Sequence, residues 1–304
     1  MKKIYSVKDD FIGMRLDKWI KKNISDLPQS LVEKNIRKGY IKINNKKEKG
    51  SYKLKKNSQI ILYNFSFFSK KHKKKTTIYQ PTKNDLSFTS SVIIENNEDF
   101  AVINKPAGIA VQSGTKSRKN IIDILRKAKE FDGFQPYTVH RIDKDTTGIL
   151  LVAKNRKYAQ IFTTLFRLRK IKKMYLGLAL GQLNANKGKF EDILYHYEGV
   201  KKVKSKAITY YEVIDANSNY SLLQLTPYTG RKHQIRKQLL IRGHPIIGDN
   251  KYKINNKYIN KKNRLMLHAY KISFTINNIK YNFCADIPKD FENMIKQKYL
   301  KIVL

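Results

Sequence analysis

The segment HRIDKDTTGILLVAK, residues 140–154, joins a charged turn to an apolar run. Asp143 and Asp145 alternate with cations, and the run from Ile149 to Val152 has the length and composition of a buried strand. Functional side chains often lie on loops that a rigid sheet holds in place. Taken alone, the segment favours a solvated turn before a strand, with an active-site aspartate as the less common alternative.

The residues around this segment predict an α+β domain over residues 91–304. Apolar stretches of strand length follow each other closely, which favours a mixed, mostly antiparallel β-sheet flanked by helices. The predicted strands include KKMYLGLALG (172–181), KAITYYEVI (206–214), SLLQLTP (221–227) and a hairpin with an Asn-Asn turn over 264–283. The predicted helices cover 119–131, 155–168 with Asn155 as N-cap, 230–243, and a segment after Pro288.

The N-terminal residues predict a separate small α/β unit over residues 11–65. Two basic amphipathic helices precede a strand, and in the second helix Ser30 and Glu33 have the spacing of a capping box. With RLD at 15–17 and GYIKIN at 39–44, this unit resembles the S4 RNA-binding domain. The resemblance implies RNA contacts from its basic side chains, and we assign them to Arg15, Lys18, Arg37 and Lys38.

Residues 66–90 have the composition of a basic linker between the two predicted domains. The stretch SKKHKKKTT, residues 69–77, has five lysines between positions 70 and 75. Like charges at this density repel each other and favour an extended chain. We therefore expect a solvated linker that can touch phosphates without sequence preference.

The net charge of the chain limits its partners. Lys+Arg number 63 against 24 Asp+Glu, a formal net charge of +39. Nucleic acid is the predicted partner, because contacts with phosphates release condensed counterions; an anionic membrane surface is the alternative. No apolar run reaches about 18 residues, so no membrane span is predicted, and the start MKKIYSVKDDFIG has no secretory signal. Cys284 is the single cysteine, which excludes an intrachain disulfide. We expect a monomer in the cytoplasm.

Common metal and cofactor motifs are missing from the sequence. HExxH, GxGxxG and GxxxxGK[ST] do not occur, and the six histidines are scattered. A nucleophile elbow and a cysteine-centred site are also missing. The sequence therefore predicts neither a metal nor a cofactor, and its candidate reagents are carboxylates and basic side chains.

A second segment, LTPYTGRKHQIRKQLLIRGHPIIGDNKY, residues 225–252, changes the interpretation of the first. It predicts a helix that carries Arg231, Lys232, His233 and Arg236, with Lys232 one turn before Arg236. The start of such a helix suits a phosphate or carboxylate. A solvated basic helix face is the more common meaning of such a run.

Together these segments resemble the RluA-type family of RNA pseudouridine synthases. That family has an HRLDxxTSGxxxxAK motif, which residues 140–154 match, and a TGRxHQIR…GHPIxGDxxY motif, which residues 229–252 match. Departures from the family are Ile142, Thr147 and Lys232. Further matches in the expected order are NKPAGIAVQSG (104–114), Lys173-x-Tyr175 and LHA (267–269).

The resemblance implies that the protein isomerises uridine to pseudouridine in RNA without a cofactor. Asp143 corresponds to the essential carboxylate, which attacks the sugar or base or abstracts a ribose proton. Arg236 would pair with Asp143, Tyr175 would stack on the uracil, and Arg141 would be a wedge that helps to flip the base. Further RNA contacts are assigned to Arg231, Lys232 and His233, and the pocket walls to Leu267 and Ile149.

The expected substrate is 23S ribosomal RNA of the large subunit, naked or in a ribosome assembly intermediate. Alternatives are a synthase that acts on transfer RNA and a non-catalytic RNA-binding or ribosome-assembly protein. A carboxylate-based glycosidase is a further enzyme class, but it normally needs a pair of acidic residues across the sugar. The strong positive charge does not suit neutral sugars.

Overall fold

The chain divides into two compact units in the computed structural model. They are Met1–Thr77 and Ile78–Leu304. The structure describes residues 2–24, 27–63, 79–113, 119–198, 201–254 and 263–302. Within these ranges no helix is long and apolar enough to cross a membrane.

The first unit packs two helices against a small antiparallel sheet of strand order β1-β3-β2. Leu16, Trp19 and Ile20 are buried together with Ile36 and Leu62, which confirms the predicted apolar face of the first helix. Besides a short 3₁₀ helix (Asp9–Phe11), the elements of this unit are β1 (Lys2–Ser6), α1 (Leu16–Asn23), α2 (Gln29–Arg37), β2 (Ile41–Ile43) and β3 (Gln59–Tyr63).

The predicted capping box at Ser30 and Glu33 is wrong. Helix α2 begins at Gln29 with Pro28 as its N-cap, so Ser30 already lies inside the first turn. The fixed φ of proline suits a helix start. The side chain of Glu33 instead accepts a hydrogen bond from Gln29 Nε2 at 3.3 Å.

The predicted linker over residues 66–90 is too long at its C-terminal end. Residues 79–90 belong to the second unit, where they form α3 (Lys83–Ser87) and the start of α4 (Thr89–Val92). Thr82 and Asp85 make a capping box at the start of α3, and the buried Asp85 also pairs with Lys119. Residues 66–78 lie outside the described part of the chain.

The second unit is built on one mixed sheet, as predicted. Its main path has the order β4-β5-β7-β12-β8-β11-β10-β9, with β6 paired to β7 and β13 to β12. Described neighbours are antiparallel except for the parallel pair of β7 and β12. The strands are β4 (Ile93–Asn96), β5 (Phe100–Lys105), β6 (Tyr137–Thr138), β7 (Thr147–Ala153), β8 (Lys172–Leu180), β9 (Lys187–Glu198), β10 (Lys201–Asn217), β11 (Tyr220–Pro227), β12 (Leu267–Ile276) and β13 (Ile279–Cys284).

The four later helices of the second unit follow the predicted positions with two changes. The N-cap Asn155 is confirmed, since its side-chain oxygen accepts from the Tyr158 backbone N–H at 2.9 Å. The helix predicted over 119–131 ends early, and the helix predicted over 230–243 begins only at Gln234. These helices are α5 (Ile121–Leu125), α6 (Arg156–Arg167), α7 (Gln234–Ile241) and α8 (Lys289–Gln297).

The parallel pair of β7 and β12 depends on a glycine. Gly148 pairs with Ala269, has a φ of +102°, and an added Cβ would lie 2.2 Å from the Ala269 carbonyl oxygen. We predict that Gly148→Ala lowers the free energy of unfolding by about 3 kcal/mol, because the overlap adds to the backbone strain. Urea denaturation measures the change.

Gly133→Ala is the matched control for this glycine prediction. Gly133 also has a positive φ, +74°, but no described atom lies within 4 Å of the added carbon. Its replacement should lower the free energy of unfolding by only about 1 kcal/mol. Equal losses in the two variants would contradict a role for the close approach to Ala269.

The same junction buries an uncharged histidine. His268 is fully buried on β12, where its Nδ1 lies 2.9 Å from the Thr147 hydroxyl and its Nε2 lies 3.4 Å from the Ala285 carbonyl oxygen. Because a carbonyl only accepts, Nε2 carries the proton and Nδ1 accepts from the hydroxyl. Burial lowers the pKa of His268 from 6.5 to about 4.

This lowered pKa predicts a loss of stability in acid. Above about pH 6.5 the imidazole is neutral in both states, whereas at lower pH the unfolded chain binds the proton first, so stability falls. Between about pH 7.5 and pH 5, wild type should lose about 2 kcal/mol more unfolding free energy than His268→Gln, which cannot be protonated. Urea denaturation at both pH values tests this, and parallel losses would contradict it.

Candidate active site

The second unit has a cleft of about 550 Å³ beside the start of β7. Its walls come from the charged turn before β7, from the end of α6, from β8, and from the segment that joins β11 to α7. The row Gly148, Ala269 and Tyr175 crosses three neighbouring strands, which brings β8 close to that turn. Seven of the described residues that line the cleft had a functional role predicted from the sequence: Arg141, Asp143, Tyr175, Arg231, His233, Arg236 and Leu267.

A chain of charged hydrogen bonds holds Asp143. Arg236 Nη1 donates to Asp143 Oδ2 at 2.9 Å. This hydrogen bond joins two residues that are 93 positions apart in the sequence. The other side of the guanidinium grips Asp249, with Nε and Nη2 donating to its two carboxylate oxygens at 2.7 and 2.8 Å. A bidentate pair of this kind fixes the plane of the guanidinium, and therefore the position of Asp143.

Asp249 is the buried end of this series of hydrogen bonds. Its side chain is 1% exposed, and its Oδ1 also accepts from the backbone N–H groups of Lys251 and Tyr252, each at 2.9 Å. Burial raises its pKa, but the hydrogen bonds and charge of Arg236, together with the two backbone N–H groups, outweigh this, and the pKa of Asp249 is lowered overall. Asp249 lies within the motif of residues 229–252, but no role was predicted for it from the sequence.

His233 lies against the second oxygen of Asp143. Its Nε2 is 3.7 Å from Asp143 Oδ1, and its Nδ1 is 2.8 Å from the Tyr252 hydroxyl. Burial lowers the pKa of His233, and Arg236 lowers it further against the opposing effect of Asp143. His233 has a left-handed φ of +53° and forms the N-cap of α7, which explains why the helix starts later than predicted.

One part of the cleft lining is aromatic. Burial, with the nearby Asp143, raises the pKa of Tyr175, so the phenol keeps its proton at neutral pH. His140 stacks on Phe166 at 4.7 Å, and its Nε2 accepts the Leu151 backbone N–H at 2.8 Å. Burial, helped by Lys173, lowers the pKa of His140 to about 3. His140 is therefore a neutral support for β7.

The turn that carries Asp143 is fastened by a lysine that the sequence analysis missed. Lys105 is fully buried, and its Nζ donates to the carbonyl oxygens of Pro106, Ile109 and Lys144 at 2.6, 3.0 and 3.0 Å. These three acceptors use all three ammonium protons. Burial lowers its pKa to about 7, opposed by Asp145 and Asp143. Lys105 belongs to the motif NKPAG, and this membership could have pointed to the residue from the sequence alone.

Other predicted site residues lie elsewhere. Ile149 is wrong as a pocket wall, because it packs in the core with Phe100 and Phe162 on the other side of the sheet. Lys232 is exposed in the turn before α7 and is not among the described residues that line the cleft. The four cations predicted for the S4-like unit lie in the first unit and are exposed: Arg15, Lys18, Arg37 and Lys38.

The geometry suits chemistry on an anionic substrate. A carboxylate fixed by Arg236 lies in a cleft with one aromatic wall, and carboxylates at such positions act as nucleophiles or bases. The rim has the exposed guanidinium groups of Arg141, Arg167 and Arg231. Such groups contact phosphates readily. The arrangement can therefore hold a polyanion while the carboxylate acts on a group inside the cleft.

Comparison with known proteins gives one consistent family. A family model described as RNA pseudouridylate synthase matches residues 99–240. The protein from Buchnera aphidicola subsp. Schizaphis graminum named Ribosomal large subunit pseudouridine synthase C is 34% identical over 285 residues, which cover 89% of this chain and 88% of that protein. A protein of the same name from Rickettsia conorii is 33% identical over 86% of this chain and 89% of that protein.

The fold agrees with a solved structure as well. Human RNA Pseudouridylate Synthase Domain Containing 4 superposes with a TM-score of 0.61 at 23% identity, over 71% of this chain and 96% of that one. The family match includes both Asp143 and Arg236, and the similarity to the bacterial relatives continues through most of the sequence on both sides. The chain therefore belongs to the RNA pseudouridylate synthase family, and its activity is that of a pseudouridine synthase.

Proposed function

We propose that this enzyme isomerises uridines in the large-subunit ribosomal RNA, with Asp143 as the essential catalytic residue. The observation that carries the assignment of Asp143 is its contact with Arg236 inside a cleft with a basic rim. The choice of RNA is supported by relatives of nearly full length named for the large ribosomal subunit. The reaction breaks the N-glycosidic bond between N1 and the sugar and forms a carbon–carbon bond between the sugar and C5. C5 loses its proton and N1 gains one, so the product is an isomer of uridine.

Asp143 acts through the oxygen that Arg236 does not hold. Oδ2 accepts from Arg236, whereas Oδ1 lies 3.7 Å from His233 Nε2. Attack on the sugar or base and removal of a ribose proton would both start from Oδ1. Because the pKa of His233 is lowered, this imidazole is neutral at neutral pH and does not compete as a counterion.

Tyr175 and Arg141 bind the target nucleotide in this proposal. Tyr175 stacks on the uracil, and its raised pKa disfavours a phenolate, so stacking is its main role. Arg141 is exposed at the rim, two residues before Asp143, where it can enter the RNA stack once the uridine is flipped out. Arg231, His233 and Lys232 add phosphate contacts.

The direct test uses purified enzyme with unmodified transcripts of large-subunit ribosomal RNA and transfer RNA. Pseudouridines are then mapped at single-nucleotide level. New pseudouridine at defined positions in the ribosomal transcript is the expected result. Modification of the transfer RNA alone would show that the substrate is wrong, and no modification of either would refute the proposed function.

The first unit is proposed to be an S4-like unit that binds RNA. The enzyme as a whole is proposed to be a monomer in the cytoplasm. Arg37 and Lys38 are exposed at the end of α2. We predict that the double variant Arg37→Ala/Lys38→Ala weakens RNA binding and leaves kcat unchanged. The plot of the logarithm of the RNA-binding constant against the logarithm of salt concentration should become less steep, by up to about 2 in slope. Filter binding across a salt series measures the slope.

The matched control for this prediction removes the same charge from the same unit. Lys55 and Lys56 are also exposed there, and their double alanine variant should bind RNA nearly as wild type does. If both double variants lower the slope equally, total charge explains the effect, and the assignment of an RNA-binding face at the end of α2 is wrong.

A further inference from the structure

The end of α6 places an arginine where glycine is favoured. Lys170 N–H donates to the Leu165 carbonyl at 2.9 Å and Arg169 N–H to the Phe166 carbonyl at 3.1 Å, the two bonds of a Schellman motif. Arg169 takes the left-handed position of this motif, with a φ of +57°. A side chain with a Cβ is strained there, whereas glycine is not.

The backbone conformation alone does not single out Arg169. Helix α8 ends in the same way at Tyr299, which has a φ of +55° and the matching bonds from Tyr299 N–H to Lys296 and from Leu300 N–H to Ile295. What distinguishes Arg169 is its location, since it lines the same cleft as Asp143. Tyr299 is therefore an internal control for the effect of the conformation by itself.

Arg169 stacks on a second rim residue. Its Cζ lies 4.6 Å from the ring centroid of Tyr228, a cation–π contact across the cleft mouth between the end of α6 and the residue after β11. Tyr228 also lines the cleft and stays 46% exposed. An exposed cation–π pair contributes little to stability, so the contact does not explain why a strained arginine is placed here.

A guanidinium plane and an exposed aromatic ring are the two groups on which unpaired RNA bases stack. We propose that Arg169 and Tyr228, the rim pair, bind the nucleotide adjoining the target uridine. Its base stacks on the rim pair, and Arg169 donates to its phosphate. The inference rests on the proposed function, because the occupant is the RNA on which Asp143 acts. The exposed Arg141, Arg167 and Arg231 make the same rim electropositive, which suits this occupant.

The test separates RNA binding from folding. The full-length variants Arg169→Gly, Arg169→Lys and Tyr228→Ala are compared with wild type for kcat, KM and Tm, with an unmodified large-subunit ribosomal RNA transcript as substrate. Arg169→Gly and Tyr228→Ala should each raise KM about tenfold with kcat close to wild type. Arg169→Gly should not lower Tm, since glycine relieves the left-handed strain. Arg169→Lys should also raise KM, because an ammonium lacks the stacking plane.

Two control variants complete the design. Tyr299→Gly makes the same backbone change at α8, and Lys280→Ala removes an exposed charge from β13; both should keep the wild-type KM. Unchanged KM in Arg169→Gly, or a KM rise joined to a fall in Tm of more than about 4 °C, would overturn the inference. Wild type that forms no pseudouridine in any RNA would instead refute the proposed function, and the inference with it.

Discussion

Asp143→Asn is expected to lower pseudouridine formation by at least about a thousandfold while the enzyme still folds and binds RNA. The amide has nearly the same shape as the carboxylate, but it supplies neither a nucleophile nor a base. Arg236 keeps its bidentate partner Asp249 in this variant, so the guanidinium is not left unpaired. Loss of a negative charge from a basic cleft should leave RNA affinity unchanged or slightly higher.

The measurement is a single-turnover assay on a ribosomal RNA transcript, with RNA affinity determined in parallel by filter binding. Asp145→Asn is the matched control, since Asp145 is an exposed carboxylate two residues later in the same turn. It should keep activity close to that of wild type. Equal losses in the two variants would indicate a general effect of charge in this turn, and retained activity in Asp143→Asn would remove Asp143 from the mechanism.

Arg236→Gln is expected to have the second largest effect, on both stability and catalysis. The variant leaves Asp249, 1% exposed, without its charged partner, and an uncompensated buried charge costs about 3–5 kcal/mol. Asp143 also loses the donor that holds Oδ2. A shift of a reacting group by about 1 Å can cost about a hundredfold in rate, and we expect at least that loss.

The two effects can be separated with a double variant. Arg236→Gln/Asp249→Asn replaces the ion pair with neutral hydrogen-bonding groups and should regain at least about 2 kcal/mol of unfolding free energy. Activity should stay low, because no cation holds Asp143. Urea denaturation and the single-turnover assay measure both quantities. If activity returned with stability, the contribution of Arg236 would be to the fold alone.

The sequence predicted which residues meet in the cleft better than it predicted how they are held there. Motifs identified Asp143, Tyr175 and Arg236, because each belongs to a short segment with unusual residue types. Asp249 lies in one of those segments, but its importance depends on being buried beneath Arg236, and burial of a single carboxylate has no sequence pattern. The start of α7 was predicted too early for a similar reason. The left-handed conformation of His233 does not change the helical spacing of the apolar residues, so the sequence pattern does not reveal it.

The wrong assignment of Ile149 has a different cause. Strand β7 is buried along its whole length and on both faces, so its sequence is continuously apolar and lacks the alternation that reports a face. The pattern therefore predicted the strand correctly but could not say which side chains point to the cleft. Strand β9 was not predicted, because Lys187–Glu198 mixes charged and aromatic residues at an exposed edge of the sheet.

The parallel pairing of β7 with β12 also determines when the enzyme can become active during synthesis. Thr147 and His268 meet across 121 positions of sequence, and such long-range closure is slow compared with local pairing. A nascent chain that has emerged only as far as α7 already has Asp143 and Arg236 but lacks the strand that lies between β7 and β8. The ribosome must therefore release the last of the central strands before the chain can modify RNA, which makes acquisition of activity a late and cooperative event in its biogenesis.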